Sequence, residues 1–344
     1  MSNTPIQVKP WKTQYDGFKE ALSYLKGRME GTVKSLKTPW FKFNDAGTDG
    51  LEYHSMVVIA GRPGAGKTLC KDQIIREAFI LNPGEDLRIL EFKLEMLERA
   101  SVIREFSSHM GKTYKQLCSA EGKLTPDELI LCRDYSRERL KFPIDIVEDA
   151  PTVKEFIEII NQYMKEHSWQ KLTKVRNKEG VESEVMLTFY KKTIITIDHS
   201  LLFRKDKGET DKTMMLYNLG EAITYLKRKY PILFIVLSQL SRAIEDPARN
   251  EDGKYGNYVL DSDVFGGDAL LQHTDMLIGL NRPAKQKIRF YGPDRFIIED
   301  ESVLVAHFLK CRNGDTRMSF FKAEFAKMKI SDMETPPRVE RTKK

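Results

Sequence analysis

The sequence predicts an α/β fold in which a mainly parallel sheet is covered by helices on both faces. Short, unbroken apolar runs alternate along the chain with segments of helical periodicity, which is typical of buried parallel strands connected by helices. A glycine-rich turn follows the first of these runs and opens a helical segment. The last apolar runs follow one another without helical segments between them, which predicts antiparallel strands near the C-terminus.

The elements predicted from these patterns are short. Six apolar runs predict the parallel strands, at 56–60, 88–92, 144–146, 193–197, 232–237 and 276–280. Helical periodicity predicts the connecting helices, at 68–81, 97–108, 126–139, 152–166 and 214–230. Later runs predict the antiparallel strands, at 288–291, 296–298, 303–310 and 317–321. Two segments interrupt the alternation, because 171–192 predicts an inserted hairpin and 245–261 predicts a long polar loop.

The chain is expected to have three parts. Residues 1–36 contain a polar tail and one amphipathic helix at 12–29. Residues 37–326 form the α/β domain. Residues 327–344, which include Pro336 and Pro337 and end in basic side chains, are expected to be a flexible tail.

Composition excludes several classes of protein. Of the 344 residues, 41% are hydrophobic and 31% are charged, as in ordinary globular domains. The four cysteines lie far apart without a C-x-x-C pair, so neither a zinc site nor a disulfide framework is expected, and the protein is assigned to a reducing cytoplasm. The apolar runs are much shorter than a membrane span, so no membrane partner is expected. A net charge of +6 permits a polyanionic partner without requiring one.

A phosphate-binding loop (P-loop) is the most specific motif. Residues 61–68 match G-x-x-x-x-G-K-[ST] between a predicted strand and a predicted helix. Glycines let backbone N–H groups turn towards phosphates, and the helix N-terminus favours negative charge. Lys67 is expected to contact the β- and γ-phosphates of ATP, and the Thr68 hydroxyl to bind Mg²⁺. The candidate nucleotide-binding residues of this loop are Gly61, Arg62, Pro63, Gly64, Ala65, Gly66, Lys67, Thr68 and Leu69.

Three polar residues at predicted strand ends are candidates for the same site. Asp198 follows the run 193–197 and is the candidate acidic ligand of Mg²⁺. Glu95 comes shortly after the run 88–92 and is the candidate base that activates water. Gln239 lies just beyond the run 232–237, where an amide could sense the γ-phosphate. Because the carboxyl ends of parallel strands share one edge of a sheet, these side chains and the P-loop can meet there.

Several blocks in one order resemble the RecA-like ATPase domain of the DnaB-type replicative helicases (superfamily 4), from about residue 31 to residue 325. The blocks read AGRPGAGKT at 60–68, FKLEM at 92–96, ID at 197–198, LSQLSR at 237–242 and KCRNG at 310–314. The first block alone is generic, whereas the ordered set is quite specific. Two stretches depart from the family pattern, because Asp198 is followed by His199–Ser200–Leu201 and the segment 262–268 lacks the usual Arg and Glu.

The resemblance implies a hexameric ring that moves 5′–3′ along single-stranded DNA and unwinds the duplex ahead of it. It implies that Glu95 is the catalytic base, that Gln239 couples the γ-phosphate to the DNA-binding loops, and that Lys310 and Arg312 contact ATP bound to the neighbouring subunit. A cation supplied in this way contributes about 10³–10⁵ in rate. The helix at 12–29 matches the position of the family's linker helix.

Loops that follow the strand ends at Asp198 and Gln239 are the candidate DNA contacts, since translocating rings bind phosphates with basic loops. The candidate side chains are Arg204, Lys205, Lys207, Arg242, Arg249, Lys254 and Tyr255. Both loops also contain acidic residues, so an ordinary solvated surface is the alternative.

The sequence therefore predicts an ATP- and Mg²⁺-dependent DNA helicase that forms a homo-oligomeric ring, with a primase or helicase loader as a possible partner. One alternative is a RecA-type recombinase, which shares the fold, the P-loop and the catalytic Glu but forms open filaments. Another is a replication accessory or loader that uses ATP as a switch without unwinding.

Overall fold

The computed structural model describes residues 11–122, 124–176, 182–249 and 257–340. The chain divides into two compact units, Met1–Ser35 and Leu36–Lys344. In the first unit, helix α1 (Gln14–Met29) begins at a capping box in which Thr13 and Asp16 satisfy each other's backbone N–H groups. The apolar side chains of Tyr15, Phe18 and Leu22 on this helix are each more than 60% exposed.

The second unit contains a large central sheet with helices around it. The remaining helices are α2 (Phe41–Ala46), α3 (Lys67–Leu81), α4 (Glu98–Met110), α5 (Tyr114–Cys118), α6 (Pro126–Arg139), α7 (Val153–Glu166), α8 (Lys212–Lys229) and α9 (Gly267–Leu271). The strands are β1 (Ser55–Gly61), β2 (Leu87–Lys93), β3 (Ile144–Val147), β4 (Ser168–Arg176), β5 (Glu182–Tyr190), β6 (Lys192–Asp198), β7 (Ile232–Gln239), β8 (Met276–Asn281), β9 (Phe290–Tyr291), β10 (Phe296–Ile297), β11 (Val303–Cys311), β12 (Arg317–Glu324) and β13 (Lys329–Asp332).

Nine strands form the central sheet in the order β13-β12-β11-β8-β1-β7-β6-β2-β3. The six strands from β8 to β3 in this order are parallel, and β11, β12 and β13 are each antiparallel to their neighbours. The mainly parallel sheet and its antiparallel C-terminal strands are confirmed. The strands β4 and β5 form a separate antiparallel pair, which confirms the inserted hairpin, and residues 177–181 between them lie outside the described residues.

The sheet is buried on both faces, as its unbroken apolar strands predict. Along β1, Val58 packs in one core cluster with Phe92 and Phe234, whereas Ile59 packs in a second cluster with Trp40. Successive side chains of a strand point to opposite faces, so one apolar run supplies both cores. This arrangement fixes the carboxyl edge of the parallel strands between two packed layers.

Two segments differ from the expectations. The predicted flexible tail after Lys327 contains β13, which pairs with β12, and its Ile330 is only 3% exposed. The carbonyl of Ile330 accepts hydrogen bonds from Trp40 and Gln73, so contacts with the distant N-terminal part of the domain hold a segment whose local sequence looks like a tail. In addition, residues 38–52, whose glycines, aspartates and aromatic residues predict irregular structure, contain the short helix α2. In the part of the chain that the structure describes, no helix is long and apolar enough to cross a membrane.

Candidate nucleotide site

The P-loop joins β1 to α3 at the carboxyl edge of the sheet. Gly64 and Gly66 have φ values of +76° and +100°, a region that side chains rarely adopt. A Cβ on Gly64 would lie 2.2 Å from the Lys285 ammonium nitrogen, and one on Gly66 would lie 3.1 Å from the Phe325 ring. Gly64 and Gly66 are therefore required by the backbone turn, and at Gly66 the Phe325 ring also leaves little room for a side chain.

Lys67 is the first residue of α3, and its side chain folds back over the loop. Its Nζ donates hydrogen bonds to the carbonyl oxygens of Gly61 at 2.8 Å and Arg62 at 3.3 Å. Burial lowers the pKa of Lys67, while the nearby carboxylates of Asp198 and Glu95 act in the opposite direction. The ammonium group thus lies at the centre of the loop with two of the predicted acidic residues close to it.

A cleft of about 400 Å³ opens above the loop. Its walls include Gly64, Gly66, Lys67, Thr68, Leu69, Glu95, His199, Gln239, Arg282 and Phe325. The structure therefore brings Glu95 and Gln239 together with the P-loop, as their positions after parallel strands predict. Glu95 is exposed in the loop between β2 and α4, and Gln239 is the last residue of β7, paired in register with Gly61. Leu69 is mostly buried in the first turn of α3.

Asp198 ends β6 beside the end of β2, where the Leu94 N–H donates to its carbonyl oxygen at 3.0 Å. No cluster of three or more His, Cys, Asp or Glu side chains that could hold a metal occurs among the described residues. Mg²⁺ does not need such a cluster, since it is usually bound through one or two carboxylates together with substrate phosphates and water. The Asp198 carboxylate and the Thr68 hydroxyl are donors of this kind, so the residues present fit Mg²⁺.

A buried network of charged side chains extends from Asp198 into the core, and no pattern in the sequence predicted it. The Lys71 ammonium lies 3.1 Å from Glu91, 2.7 Å from Asp72 and 3.8 Å from Asp198. Lys93 continues the network, at 3.3 Å from Glu91 and 2.8 Å from Glu98 in the first turn of α4. Although burial opposes it, the carboxylates raise the pKa of Lys71, and Lys71 and Lys93 lower the pKa of Glu91.

His199 follows Asp198 and lies against Gln239, with 3.3 Å between the Gln239 Nε2 and the His199 Nε2. His199 is only 8% exposed, and its Nδ1 is buried without a hydrogen-bond partner among the described residues. Burial lowers the pKa of His199, which favours the neutral ring. A neutral imidazole can accept a hydrogen bond from the Gln239 amide, so His199 holds this side chain at the cleft.

Arg282 and Phe325 form one end of the cleft and were not predicted. The Arg282 guanidinium lies over the Phe325 ring, 3.9 Å from its centroid. Arg282 follows β8, the outermost of the parallel strands, and Phe325 follows the antiparallel strand β12. No local motif marks either residue, so their place beside the P-loop follows only from the folded chain.

Lys310 and Arg312 lie at the opposite edge of the sheet. Lys310 and Cys311 of β11 pair with the beginning of β8, and the Arg312 N–H donates to the carbonyl of Asp275, 2.8 Å away, before β8 starts. The Arg312 guanidinium is 3.1 Å from the Asp275 carboxylate and remains 56% exposed. The rise along β1 from Met56 to Gly61 corresponds to about 17 Å between the two edges. These cations are therefore remote from the P-loop of their own chain.

The candidate DNA-binding side chains differ in how far they are free to bind. Lys205, Lys207 and Arg242 are exposed, and Lys205 donates to the Thr210 carbonyl at 3.2 Å. Arg204 is 2.6 Å from the Glu155 carboxylate. Arg249 is 2.6 Å from the Asp263 carboxylate and also donates to the Tyr258 carbonyl. Lys254 and Tyr255 lie outside the described residues.

The fold and the site define a class of protein. A glycine-rich loop between the first strand and its helix, with acidic side chains at the ends of other parallel strands, is the arrangement of a P-loop nucleoside triphosphatase. The sequence profile of the DnaB-like helicase C-terminal domain matches residues 36–329, and the chain belongs to this family. Membership implies an ATP-hydrolysing helicase domain.

Solved structures support the fold. One of them, an isolated ATPase domain, aligns with a TM-score of 0.71 and 18% sequence identity, over 92% of this chain and 99% of that domain. A DnaB-like replicative helicase, described together with its interactions with primase, aligns with a TM-score of 0.70 and 18% identity, over 92% of this chain and 67% of its own. No curated protein matches the sequence. The RecA-like helicase fold and the resemblance to DnaB-type helicases are confirmed.

Proposed function

We propose that the protein is an ATP- and Mg²⁺-dependent replicative DNA helicase that moves along single-stranded DNA as a hexameric ring. The observation that carries the proposal is the position of Lys310 and Arg312 at the edge of the sheet opposite the P-loop. A single chain holds nucleotide chemistry at one edge, and at the other the exposed Arg312 and the half-buried Lys310. Head-to-tail contacts between copies would bring the two edges together, and such contacts close into rings when the rotation permits.

Within one subunit, the P-loop binds the triphosphate and Lys67 neutralises charge on its β- and γ-phosphates. Glu95, exposed at the cleft, orients and deprotonates the attacking water. Thr68 and Asp198 would hold Mg²⁺, which supplies positive charge between the phosphates when it is bound. Gln239, held by His199, lies at the end of β7 where it would sense the γ-phosphate.

The nucleoside end of ATP would lie against Arg282 and Phe325. A guanidinium stacked on an aromatic ring presents flat, weakly hydrated surfaces that suit a nucleobase. The two residues line the same cleft as Lys67 and Thr68, so one molecule can span phosphate loop and ring. Stacking on these two side chains does not select one nucleobase by hydrogen bonds. A motor driven by nucleoside triphosphates does not need such selection.

Hydrolysis would be completed by the neighbouring subunit. Burial and the adjacent Arg312 lower the pKa of Lys310, and Arg312 is the more exposed of the two cations. A cation supplied across the interface stabilises the charge that develops on the transferred phosphoryl group. The exposed apolar side chains of α1 are also consistent with a second copy that covers them, as expected for a linker helix.

DNA would pass the loops that follow Asp198 and Gln239. Among the predicted contacts, Lys205, Lys207 and Arg242 are the strongest candidates, because Arg204 and Arg249 are ion-paired within the chain. Movement in the 5′–3′ direction and binding of a primase or loader are proposed by analogy with the family and with the primase-binding relative.

A forked-duplex unwinding assay tests this function. Protein with ATP and Mg²⁺ is expected to displace the labelled strand, and Lys67→Ala is expected to displace none because the phosphates lose their charged contact. Single-stranded DNA should also stimulate ATP hydrolysis. Hydrolysis without strand displacement would instead indicate a loader, and open filaments on DNA in electron micrographs would indicate a recombinase.

A further inference from the structure

The P-loop is connected to a second loop by the side chain of Arg62. Its Nε lies 2.8 Å from Oε1 of Glu245, and its Nη2 lies 3.1 Å from Oε2, so the two side chains form a bidentate pair. The remaining nitrogen, Nη1, donates to the carbonyl of Leu240 at 3.1 Å. Arg62 was predicted to bind nucleotide, but in the structure its side chain is engaged by Glu245 and Leu240 and does not line the cleft.

The partner segment begins at Gln239. Leu240 directly follows this residue, and its N–H also approaches the carbonyl of Gly61 at 3.4 Å. Glu245 ends the short helical turn that starts at Arg242, the first candidate DNA contact of the loop that follows Gln239. The contacts of Arg62 therefore reach both ends of the segment 240–245, which forms the start of this loop.

The same segment has a second attachment on its far side. Ser241 donates its N–H to the carbonyl of Asp263 at 2.6 Å, and Phe265 donates to the carbonyl of Gln239 at 2.8 Å. Arg249 pairs with Asp263, which closes the described base of the loop. The loop base is thus one assembled unit, and the side chain of Arg62 joins it to the phosphate loop through Glu245 and Leu240.

We propose that Glu245 is a positioning residue which, through Arg62, couples the state of the P-loop to the DNA loop that follows Gln239. The inference rests on the proposed function and adds a second connection beside Gln239 itself. When phosphates enter the P-loop, any movement of Arg62 is passed to Glu245 and Leu240 through the hydrogen bonds that Arg62 donates to them. Loss of the pair leaves the nucleotide cleft and the Leu240 contacts in place but frees the Glu245 end of the segment 240–245 from the P-loop.

The Arg62–Glu245 ion pair is weak enough to change with the state of the P-loop. The side chains are 20% and 45% exposed, so the ion pair is partly screened and contributes at most about a fivefold change in an equilibrium. The hydrogen bonds from Arg62 lower the pKa of Glu245, so the carboxylate is charged at neutral pH. A contact of this strength can be altered by nucleotide binding without unfolding the loop.

The test compares Glu245→Gln with Asp246→Asn. Both variants remove one negative charge next to the DNA loop, but Asp246 accepts a hydrogen bond from Ala248 and makes no described contact with the P-loop. In Glu245→Gln, ATP hydrolysis without DNA is expected to stay within about twofold of wild type, while stimulation by single-stranded oligothymidylate falls about fivefold. Glu245→Asp should recover part of the stimulation, and Asp246→Asn should keep it.

Equal stimulation in Glu245→Gln and wild type would overturn the proposal, as would an equal loss in both charge-removing variants. A second measurement does not depend on DNA. Hydrogen exchange of residues 240–246 should slow by about threefold or more when Mg²⁺ and the slowly hydrolysed analogue ATPγS are added to wild type, but not to Glu245→Gln.

The two measurements separate failure of this inference from failure of the proposed function. If the wild type shows the exchange response but DNA does not stimulate its ATP hydrolysis, the coupling stands and the helicase function is rejected. If DNA stimulates hydrolysis but residues 240–246 show no exchange response, the helicase function stands and the coupling is rejected.

Discussion

Replacing Lys71 with methionine should destabilise the protein strongly, because this lysine is the central cation of the buried network. Its side chain is only 1% exposed and lies within 4 Å of Asp72, Glu91 and Asp198. Methionine keeps most of the packed volume, so the main effect is the loss of charge compensation for Glu91 and Asp198. Removing one partner of a buried ion pair costs about 3–5 kcal/mol.

Urea unfolding followed by circular dichroism, at one fixed protein concentration, measures this effect. With a slope of about 3 kcal/mol per molar urea, the midpoint should fall by about 1–1.7 M. The double variant Lys71→Met/Glu91→Leu should recover part of the loss, since it removes the uncompensated Glu91 carboxylate while Asp198 still lacks the Lys71 charge and Lys93 keeps Glu98. A midpoint within about 0.3 M of wild type in the single variant would refute the reasoning. A double variant as unstable as the single one would show that the uncompensated charge is not the cause.

The same network predicts the pH dependence of stability. The pKa of Glu91 is lowered by Lys71 and Lys93 against the effect of burial, so its contribution is present above the ordinary value of 4.5 and is lost as pH falls through the folded-state pKa. The pKa of Lys71 is raised by its carboxylate partners against burial, so its contribution is present below 10.5 and is lost as pH rises through the folded-state pKa. The urea midpoint of wild type should therefore decline at both extremes.

Three further predictions concern the site and the DNA loops. Glu95→Gln should bind ATP normally in equilibrium dialysis but hydrolyse it about 10²–10⁴-fold more slowly, and wild-type turnover would mean that another group is the base. Arg282→Ala should raise the KM for ATP about tenfold while kcat changes little, because the variant loses a cation–π contact of about 1–2 kcal/mol at the end of the cleft that is remote from the γ-phosphate. A fall in kcat alone would contradict that placement. Replacing Lys205 and Lys207 together by serine should make the plot of log affinity against log salt shallower by about 1.4 for single-stranded DNA, and an unchanged slope would remove this loop from the interface.

The sequence was sufficient for the features that local patterns encode. Unbroken apolar runs predicted all six parallel strands, and the P-loop match lay where β1 meets α3. The rule that parallel strands end at one edge was enough to place Glu95 and Gln239 beside the loop. These successes depend on short-range information, namely residue type, spacing and strand direction.

The remaining features depend on contacts between distant parts of the chain. No local pattern in the sequence marks the Lys71–Glu91 ion pair, because it forms only where α3 contacts β2. The strand β13 reads as a tail, since its partners are β12, Trp40 and Gln73. The Arg62–Glu245 pair joins positions 183 residues apart, and no spacing rule connects them.

The most direct test of the account is a mixture of two inactive variants. Lys67→Ala removes the phosphate contact but keeps the exposed cations, whereas Arg312→Ala removes a cation but keeps the P-loop. If Arg312 acts on the ATP of a neighbouring subunit, equal mixing should restore activity at about a quarter of the interfaces, because half of the subunits supply an intact P-loop and half of their neighbours supply an intact Arg312. DNA-stimulated ATP hydrolysis of the mixture should then rise well above that of either variant alone. A mixture that assembles but remains as inactive as its components would contradict catalysis across the interface.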